Sequence, residues 1–309
     1  MKVCIAFLAL LPLCFSQTLD AIRVNVRLVN VAFTVRDAGG KLVTNLTKDD
    51  FEVFDDGQQQ PISFFARGED LPLTLGLIVD FSGSQEHFVK QHEHDLRTFL
   101  KDVLTARDRA FLICFGNRLR LASDFSADSS ELIDGLKKLE KREVPVIGPH
   151  ELRFGGTAFY DAIYHATTLK LAKIDEGRKA LIIFSDGEDN SSAHNMMDTI
   201  EAAQTENVVL FGIRYTETRK GGEWTARNKY GASVMARISR DTGGSDFDAQ
   251  AADLRTSFRE IGEQLRSSYE LAYHANGLAD GTFHKIVIRV KQPGFTVRTK
   301  TGYYSRDTN

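Results

Sequence analysis

An aspartate and two serines stand at alternate positions just after an apolar run of the chain. Asp80, Ser82 and Ser84 form this Asp-x-Ser-x-Ser motif, Thr157 follows a pair of glycines, and Asp186 follows a second apolar run. Carboxylate and hydroxyl oxygens are hard ligands, which suit Mg²⁺ in near-octahedral geometry. The five side chains therefore predict a divalent-cation site, with Mg²⁺ as the expected ion and Mn²⁺ or Ca²⁺ as alternatives.

The same residue types also have a purely local explanation. Asp, Ser and Thr accept hydrogen bonds from nearby backbone amides in turns and at helix starts, so Asp-x-Ser-x-Ser alone is a weak signal. Thr157 also suits the N-cap of the helix that is expected to follow it. The metal site is favoured because three separate segments carry matching residues in order. Asp161, Glu188 and Asp189 are assigned to the surface or to helix starts rather than to the metal.

The segments around these residues predict a parallel sheet that is covered by helices. Continuous apolar runs, typical of buried strands, alternate with stretches of helical spacing. The strand predictions are residues 73–79, 110–115, 179–184 and 208–213, with 119–125 as an antiparallel edge strand. The helix predictions are residues 87–104, 130–139, 158–172, 193–206 and 253–267. In such sheets ligands bind beyond the carboxyl ends of the strands, which is where the five residues lie.

Both flanks of this α/β region show the period-two pattern of short strands. Neither residues 17–70 nor residues 269–309 can bury an apolar face alone, so we expect them to pair into one small β-sandwich beside the domain of residues 71–268. The expected fold class is α/β, with a doubly wound, mostly parallel sheet plus this sandwich. The polar, glycine-containing segment 215–231 is predicted to form a mobile loop.

The amino terminus has the pattern of a secretory signal. Lys2 precedes a short apolar run that ends in small residues, so residues 1–16 are expected to be cleaved. The run is shorter than the roughly 20 residues of a spanning helix, and no transmembrane helix is expected in the mature chain. Leu11 and Cys14 have lipobox spacing, but Leu13 occupies a position that calls for a small residue. We expect a secreted, periplasmic or cell-envelope-associated protein.

Charge and cysteine content exclude several classes of protein. The formal net charge of -3 gives no charge excess that would favour nucleic acid or an anionic membrane as a partner. Cys114 is the only cysteine beyond the signal segment, which excludes an internal disulfide, and its apolar neighbours predict a buried packing role. His92 and His94 are two residues apart and face different sides of a helix, so they are assigned to the solvated surface rather than to zinc.

The five oxygen-bearing residues resemble, in type and order, the metal-ion-dependent adhesion site of von Willebrand factor A-type domains. The resemblance covers roughly the central domain of the chain. It implies that Ser82, Ser84 and Thr157 offer hydroxyl oxygens to the ion, while Asp80 and Asp186 contribute directly or through water. It also implies an open coordination position at the ion, to which a partner's carboxylate is drawn.

The flanks look like a bacterial family related to these domains. Residues 46–53 and the strand Gly302-Tyr303-Tyr304 fit its pattern, which is less specific than the five-residue site. In integrin-like A-type domains, engagement of the metal is coupled to a shift of the last helix, here residues 253–267. The sequence leaves open whether that coupling exists in this chain.

Three functions compete on this sequence. The resemblance implies a non-enzymatic, cation-dependent protein-binding module that captures an Asp or Glu of a protein ligand. A metal-dependent hydrolase or phosphatase is less favoured, because the Asp-x-Ser motif lacks the second aspartate of an aspartate-nucleophile phosphatase and no Gly-x-Ser-x-Gly elbow occurs. In a structural or assembly protein, the β flanks would bind through their edges and the metal would only stabilise the loops.

Overall fold

A computed structural model describes residues 28–140, 146–147, 156–216, 223–250, 253–275 and 280–305, so the predicted signal segment lies outside the described residues. The strands in chain order are β1 (Leu28–Arg36), β2 (Phe51–Asp55), β3 (Gln58–Gln60), β4 (Ile62–Arg67), β5 (Leu73–Asp80), β6 (Arg109–Phe115), β7 (Leu119–Ser126), β8 (Val146–Ile147), β9 (Arg178–Ser185), β10 (Val208–Arg214), β11 (Asp246–Asp248), β12 (Tyr269–His274), β13 (Phe283–Val290), β14 (Thr296–Thr299) and β15 (Gly302–Tyr304). The helices are α1 (Val89–Val103), α2 (Ser129–Glu140), α3 (Phe159–His165), α4 (Met196–Thr205), α5 (Ala226–Asp241) and α6 (Leu254–Arg266).

A seven-stranded sheet forms the centre, in the order β11-β10-β9-β5-β6-β7-β8. The strands from β11 to β6 run parallel, and β7 is antiparallel to both of its neighbours. This arrangement confirms the predicted α/β class with a mostly parallel sheet. The two-residue strand β8 lies outside β7, so the antiparallel strand is second from the edge rather than at the edge itself.

Helices cover both faces of the central sheet, and the described residues place three of them on each side. Apolar side chains of α1, α2 and α6 pack on one face, and those of α3, α4 and α5 pack on the other. Strand β5 is buried along its whole length because it lies between both helical layers. Each large aliphatic side chain that is fully buried in this way contributes roughly 1.5–3 kcal/mol to folding. The continuous apolar strands are therefore the main source of stability for the centre.

The two flanks combine into two small sheets that pack against each other. Their strand orders are β14-β1-β12-β4 and β15-β13-β2-β3, so each sheet contains strands from both ends of the chain. Alternate side chains of β1 point into the space between the sheets, where Phe33 meets Phe51 and Tyr269 with ring centroids 5.0 and 5.4 Å apart. The expected sandwich of paired flanks is thus present.

The prediction of a mobile loop over residues 215–231 is wrong for its last third. Helix α5 begins at Ala226, because Thr225 Oγ1 accepts a hydrogen bond from the amide of Asn228 at 3.1 Å and caps the helix. Residues 217–222 of that segment lie outside the described residues. The helix was not predicted because its first turns are polar and include Gly231, which hides the apolar spacing.

The assignment of His92 to the solvated surface is also wrong. The His92 side chain is buried, with its ring 4.3 Å from that of Tyr215, and burial lowers the pKa of His92 to about 4. His94, on the other side of α1, is exposed as expected. Cys114 is buried and free, in agreement with its predicted packing role. Among the described helices, none is long and apolar enough to cross a membrane.

Candidate metal centre

The carboxyl ends of two neighbouring parallel strands bring the first carboxylate into place. Strands β5 and β9 pair in register up to Val79 and Phe184, so Asp80 and Ser185 end these strands side by side. The Ser185 hydroxyl donates to Asp80 Oδ2 at 2.6 Å, and both residues are fully buried. This contact fixes one carboxylate oxygen and leaves the other facing the turn that follows β5.

The Asp-x-Ser-x-Ser turn connects this aspartate to the second one. The Ser82 amide donates to Asp80 Oδ1 at 2.8 Å, and the hydroxyl oxygens of Ser82 and Ser84 lie 3.3 Å apart. The Ser84 hydroxyl in turn donates to Asp186 Oδ2 at 2.7 Å. Four of the five predicted residues thus form one continuous hydrogen-bonded cluster. Ser84 is only partly buried, so the cluster reaches the surface.

Thr157 is joined to this cluster through the backbone. Its amide donates to Asn190 Oδ1 at 2.7 Å, on the loop that begins at Asp186. The next amide, that of Ala158, donates to the carbonyl of Gly116 at 2.8 Å. Gly116 packs against the carbonyl of Phe81, within the Asp-x-Ser-x-Ser turn. Thr157 therefore lies between the two loops that carry the other four residues, and within the described part of the chain it makes no direct hydrogen bond to any of them.

The glycine before Thr157 is required by this close approach. Gly156 has a φ of +107°, and a Cβ at that position would lie 2.8 Å from Asn190 Oδ1. Only glycine combines that backbone conformation with such a short distance. The second glycine of the pair that precedes Thr157 in the sequence thus has a structural reason.

The electrostatics of the cluster suit a cation. Burial raises the pKa of Asp80 to about 7, and the nearby charge of Asp186 acts in the same direction against hydrogen bonds from Ser185 and Ser82. In the described ranges no Lys or Arg forms an ion pair with either aspartate. Two carboxylates with adjoining hydroxyls and no basic partner fit the ligand preference of Mg²⁺, which would favour their charged forms. The donor set fits the predicted ion.

Several residues that hold the cluster were not predicted from the sequence. The buried side-chain amide of Gln85 donates from Nε2 to Asp186 Oδ2 at 3.0 Å and to the Tyr215 carbonyl at 3.1 Å. Ser185 and Asn190 hold Asp80 and Thr157 in the same way. Each of these residues adjoins a predicted ligand or follows it within four positions. The sequence does not show where a side chain so close to a predicted ligand points. A residue that positions a ligand therefore cannot be told from an ordinary turn residue.

The three acidic residues that were set apart from the metal have structural roles. Glu188 is buried, not at the surface, and it forms an ion pair with Arg227 of α5. Burial raises the pKa of Glu188, and the charge of Asp186 adds to the effect. Asp189 accepts the Phe159 amide at 2.9 Å, which is a helix-start role as expected. Asp161 accepts the amides of the loop before α4.

Comparison with solved structures finds several chains of similar fold. The chain is similar to a conserved hypothetical protein, BatB, from Bacteroides thetaiotaomicron, with a TM-score of 0.44 and 15% identity over 62% of this chain and 97% of that one. It is similar to the vWF domain of the type V pili tip protein Mfa5 from Porphyromonas gingivalis, with a TM-score of 0.42 and 12% identity over 63% and 95%. It is also similar to proximal thread matrix protein 1 from the mussel byssus, with a TM-score of 0.46 and 13% identity over 69% and 51%.

No family model matches the sequence, and no curated protein matches it at the level of sequence. At these identities the likeness to solved structures is one of fold and extends to no activity or partner. The central unit has a mostly parallel sheet between two layers of helices, and the solved structures to which it is similar include the vWF domain of Mfa5.

Proposed function

We propose that this protein is a secreted or envelope-associated binding module that captures a carboxylate of a partner protein through a divalent cation. The observation that carries the proposal is the hydrogen-bonded cluster of Asp80, Ser82, Ser84 and Asp186 at the carboxyl ends of β5 and β9. Such a cluster at the edge of a parallel sheet occupies the usual ligand position of the fold. The extracytoplasmic location rests on the signal pattern of residues 1–16.

The five residues would hold Mg²⁺, with Mn²⁺ and Ca²⁺ as alternatives. When bound, the ion supplies a Lewis-acidic position that a carboxylate oxygen can occupy. The chain itself provides the rest of the site: Ser185 and Gln85 orient the two aspartates, and Asn190 positions Thr157. Only two of the five side chains are acidic, so a third carboxylate from outside is electrostatically favoured.

The expected partner is a protein that presents an exposed Asp or Glu. A net charge of -3 argues against nucleic acid as the partner. A hydrolytic role has less support, because Phe81 and Ser82 follow Asp80 where an aspartate-nucleophile phosphatase would place its second aspartate. The module is therefore proposed to bind rather than to catalyse.

Calorimetric titration of Mg²⁺ into chelator-stripped protein tests the metal site. We expect saturable binding to the wild type and no binding to Asp80→Ala or Asp186→Ala, because each change removes a carboxylate from the cluster. Asp134→Ala is the matched control, since Asp134 is an exposed aspartate on α2 that pairs only with Lys137 among the described residues. Thermal melts should show stabilisation by Mg²⁺ in the wild type and control alone.

Partner capture separates the proposed function from a role of the flanks. With a verified partner, binding should be lost in chelator and in Asp80→Ala while the fold persists. If Asp80→Ala binds the partner in chelator as tightly as the wild type binds it in Mg²⁺, the metal is not the binding element. The binding surface would then lie on the edges of the small sheets, where Phe64 of the edge strand β4 is exposed.

A further inference from the structure

A second group of side chains that could hold a metal ion lies between α3 and the loop that carries Asp186. Asp161 and His165 are one helical turn apart on α3 and share a face of that helix. His194 comes from the loop between β9 and α4. The ligand atoms that these three residues offer all lie within 4.8 Å of one another. The group contains two imidazoles and one carboxylate, in contrast to the all-oxygen cluster described above.

The three side chains are held in fixed orientations. Asp161 Oδ1 lies 2.7 Å from His194 Nδ1 and accepts the His194 amide at 3.0 Å, while Oδ2 accepts the Ala193 amide at 2.9 Å. The His194 ring stacks on Tyr164 with centroids 3.7 Å apart, and it is perpendicular to the His165 ring at 5.4 Å. Little conformational entropy remains to be lost when these groups bind a ligand.

His165 gives the independent indication that a ligand is missing from this group. Its side chain is only 8% exposed, and within the described residues neither of its ring nitrogens has a hydrogen-bond partner. A buried imidazole without a hydrogen-bond partner lowers the stability of the folded protein. Coordination of an ion by one of its nitrogens would remove part of this cost.

We propose that Asp161, His165 and His194 bind a transition-metal ion of the Zn²⁺ type. Two imidazoles and a carboxylate are a recurrent donor set for Zn²⁺, and three protein ligands leave one coordination position open. In a tetrahedral site with bonds of about 2.0–2.1 Å the ligand atoms are about 3.3 Å apart, so a small rotation of the side chains would suffice. His194 and Asp161 are partly exposed, which gives an ion access from solvent.

The two sites would select different ions. Mg²⁺ prefers oxygen ligands and binds nitrogen poorly, whereas Zn²⁺ accepts imidazole readily.

A comparable group, Asp55, Asp56 and His284, does not carry the same inference. Its histidine already has both ring nitrogens engaged, Nδ1 at 3.0 Å from Asp56 and Nε2 at 3.2 Å from Thr282 Oγ1. The unpartnered imidazole is what distinguishes the His165 group.

An ion at this site would join α3 to the loop of the first site. Ser192 Oγ accepts the Asp161 amide at 3.0 Å, and Asp189 accepts the amide that begins α3. Asn190, on the same loop, accepts the Thr157 amide. The ion would therefore stiffen the segment between Asp186 and α4, although its binding does not depend on the proposed function of the first site.

Competition for Zn²⁺ against a chromophoric chelator tests the proposal. The full chain without a polyhistidine tag is used, with Cys4→Ser and Cys14→Ser in all samples so that neither of these thiolates competes for the metal. We expect one equivalent of Zn²⁺ to bind, and the affinity to fall by at least about tenfold in His194→Ala and in His165→Phe, which keeps a ring of similar size. His94→Ala is the control, because His94 is an exposed histidine on α1.

Substitution with Co²⁺ adds a readout that reports the ligands directly. The wild type and His94→Ala should show visible absorption of a four- or five-coordinate ion, and His194→Ala should not. Asp80→Ala must retain Zn²⁺ binding, which separates this proposal from the Mg²⁺ site. Since His194 is partly exposed, His194→Ala should fold even if His165→Phe does not. Equal Zn²⁺ affinity in the wild type and His194→Ala would overturn the proposal and leave the group as a hydrogen-bonded brace.

Discussion

Gly231 controls how closely helix α5 approaches the loop of the metal centre. A Cβ at this position would lie 2.2 Å from the carbonyl oxygen of Asp186, which is backbone and cannot rotate away. Gly187, on the same loop, meets the Gly231 carbonyl in a similar contact. The helix and the loop thus pack backbone to backbone. At the scale of single residues, the position of Asp186 therefore requires that residue 231 has no side chain.

Replacement of Gly231 by alanine should disturb the centre without touching any ligand. We expect Gly231→Ala to lower the free energy of unfolding by about 1–3 kcal/mol, because the helix must move outward, and to weaken Mg²⁺ binding as Asp186 shifts. Calorimetry and chemical denaturation measure the two effects.

Gly83→Ala is the matched control for this change. Gly83 lies between Ser82 and Ser84, yet a Cβ there would meet no atom within 4 Å. Its effect on stability should stay within about 0.5 kcal/mol. If Gly231→Ala behaves as Gly83→Ala does, the close packing of α5 does not set the position of Asp186.

At the scale of elements, the loop from Asp186 ends in a well-capped helix. Asn195 Oδ1 accepts the amides of Met197 and Asp198 at 2.8 and 3.2 Å, and Asp198 Oδ2 accepts the Asn195 amide at 2.9 Å. This reciprocal cap satisfies otherwise unpaired amides at the start of α4. It also fixes where the loop with Asn190 and His194 stops.

Removal of this cap should cost stability but keep the fold. Asn195→Ala is expected to lower the free energy of unfolding by about 1 kcal/mol, whereas Asn195→Asp should retain most of it, since a carboxylate also accepts amide hydrogen bonds. Urea denaturation followed by circular dichroism is the measurement. A loss of the same size in both variants would show that the side-chain acceptor is not what stabilises α4.

The elements also show where sequence was informative. Strands β5, β6, β9 and β10 were predictable because burial on both faces demands continuous apolar runs. The positions of Asp80 and Asp186 at the carboxyl ends of such runs were predictable for the same reason. Strand β11 was not, because its aspartates pair with Arg214 rather than forming an apolar pattern. His92 was misassigned since the spacing of histidines says which face they occupy but not what covers it. The covering residue, Tyr215, lies far away in sequence.

At the scale of the whole molecule, the sandwich is fastened to the central unit by a buried lysine. Lys300 donates to the Gln204 carbonyl at 2.8 Å and lies near Glu270, Glu206 and Lys179, beside a cavity of about 260 Å³. Burial lowers the pKa of Lys300 to about 7, with Lys179 acting in the same direction and the two glutamates against it. Lys300 therefore loses its proton more readily in the folded protein than in the unfolded chain, where water surrounds it.

The pH dependence of stability should report this lysine. The folded pKa of Lys300 is below its ordinary value of 10.5, so the unfolded chain binds more protons between about pH 7 and 10.5. The contribution of Lys300 to stability consequently rises with pH across that window. As the pH rises, the difference in unfolding free energy between the wild type and Lys300→Met should change in favour of the wild type by up to about 1 kcal/mol per pH unit. Lys285→Met changes an exposed lysine of β13 and is the control. Its unfolding free energy should depend on pH in the same way as that of the wild type. A difference between the wild type and Lys300→Met that does not change with pH would contradict the prediction.

The pairing of β1 with β12 and β14 also dictates an order of assembly during synthesis. Val31 lies opposite Leu271, and Val35 lies opposite Val297, so the first described strand leaves the ribosome long before its neighbours exist. Strand β4 also remains unpaired until β12 has been synthesised, since it pairs with that strand. The intervening α/β unit has its own core and can form while these strands remain open edges, which are sites of aggregation. Closure of the sandwich thus follows the synthesis of β12 and β14, and a product truncated before Tyr269 would leave β1 and β4 without these partners.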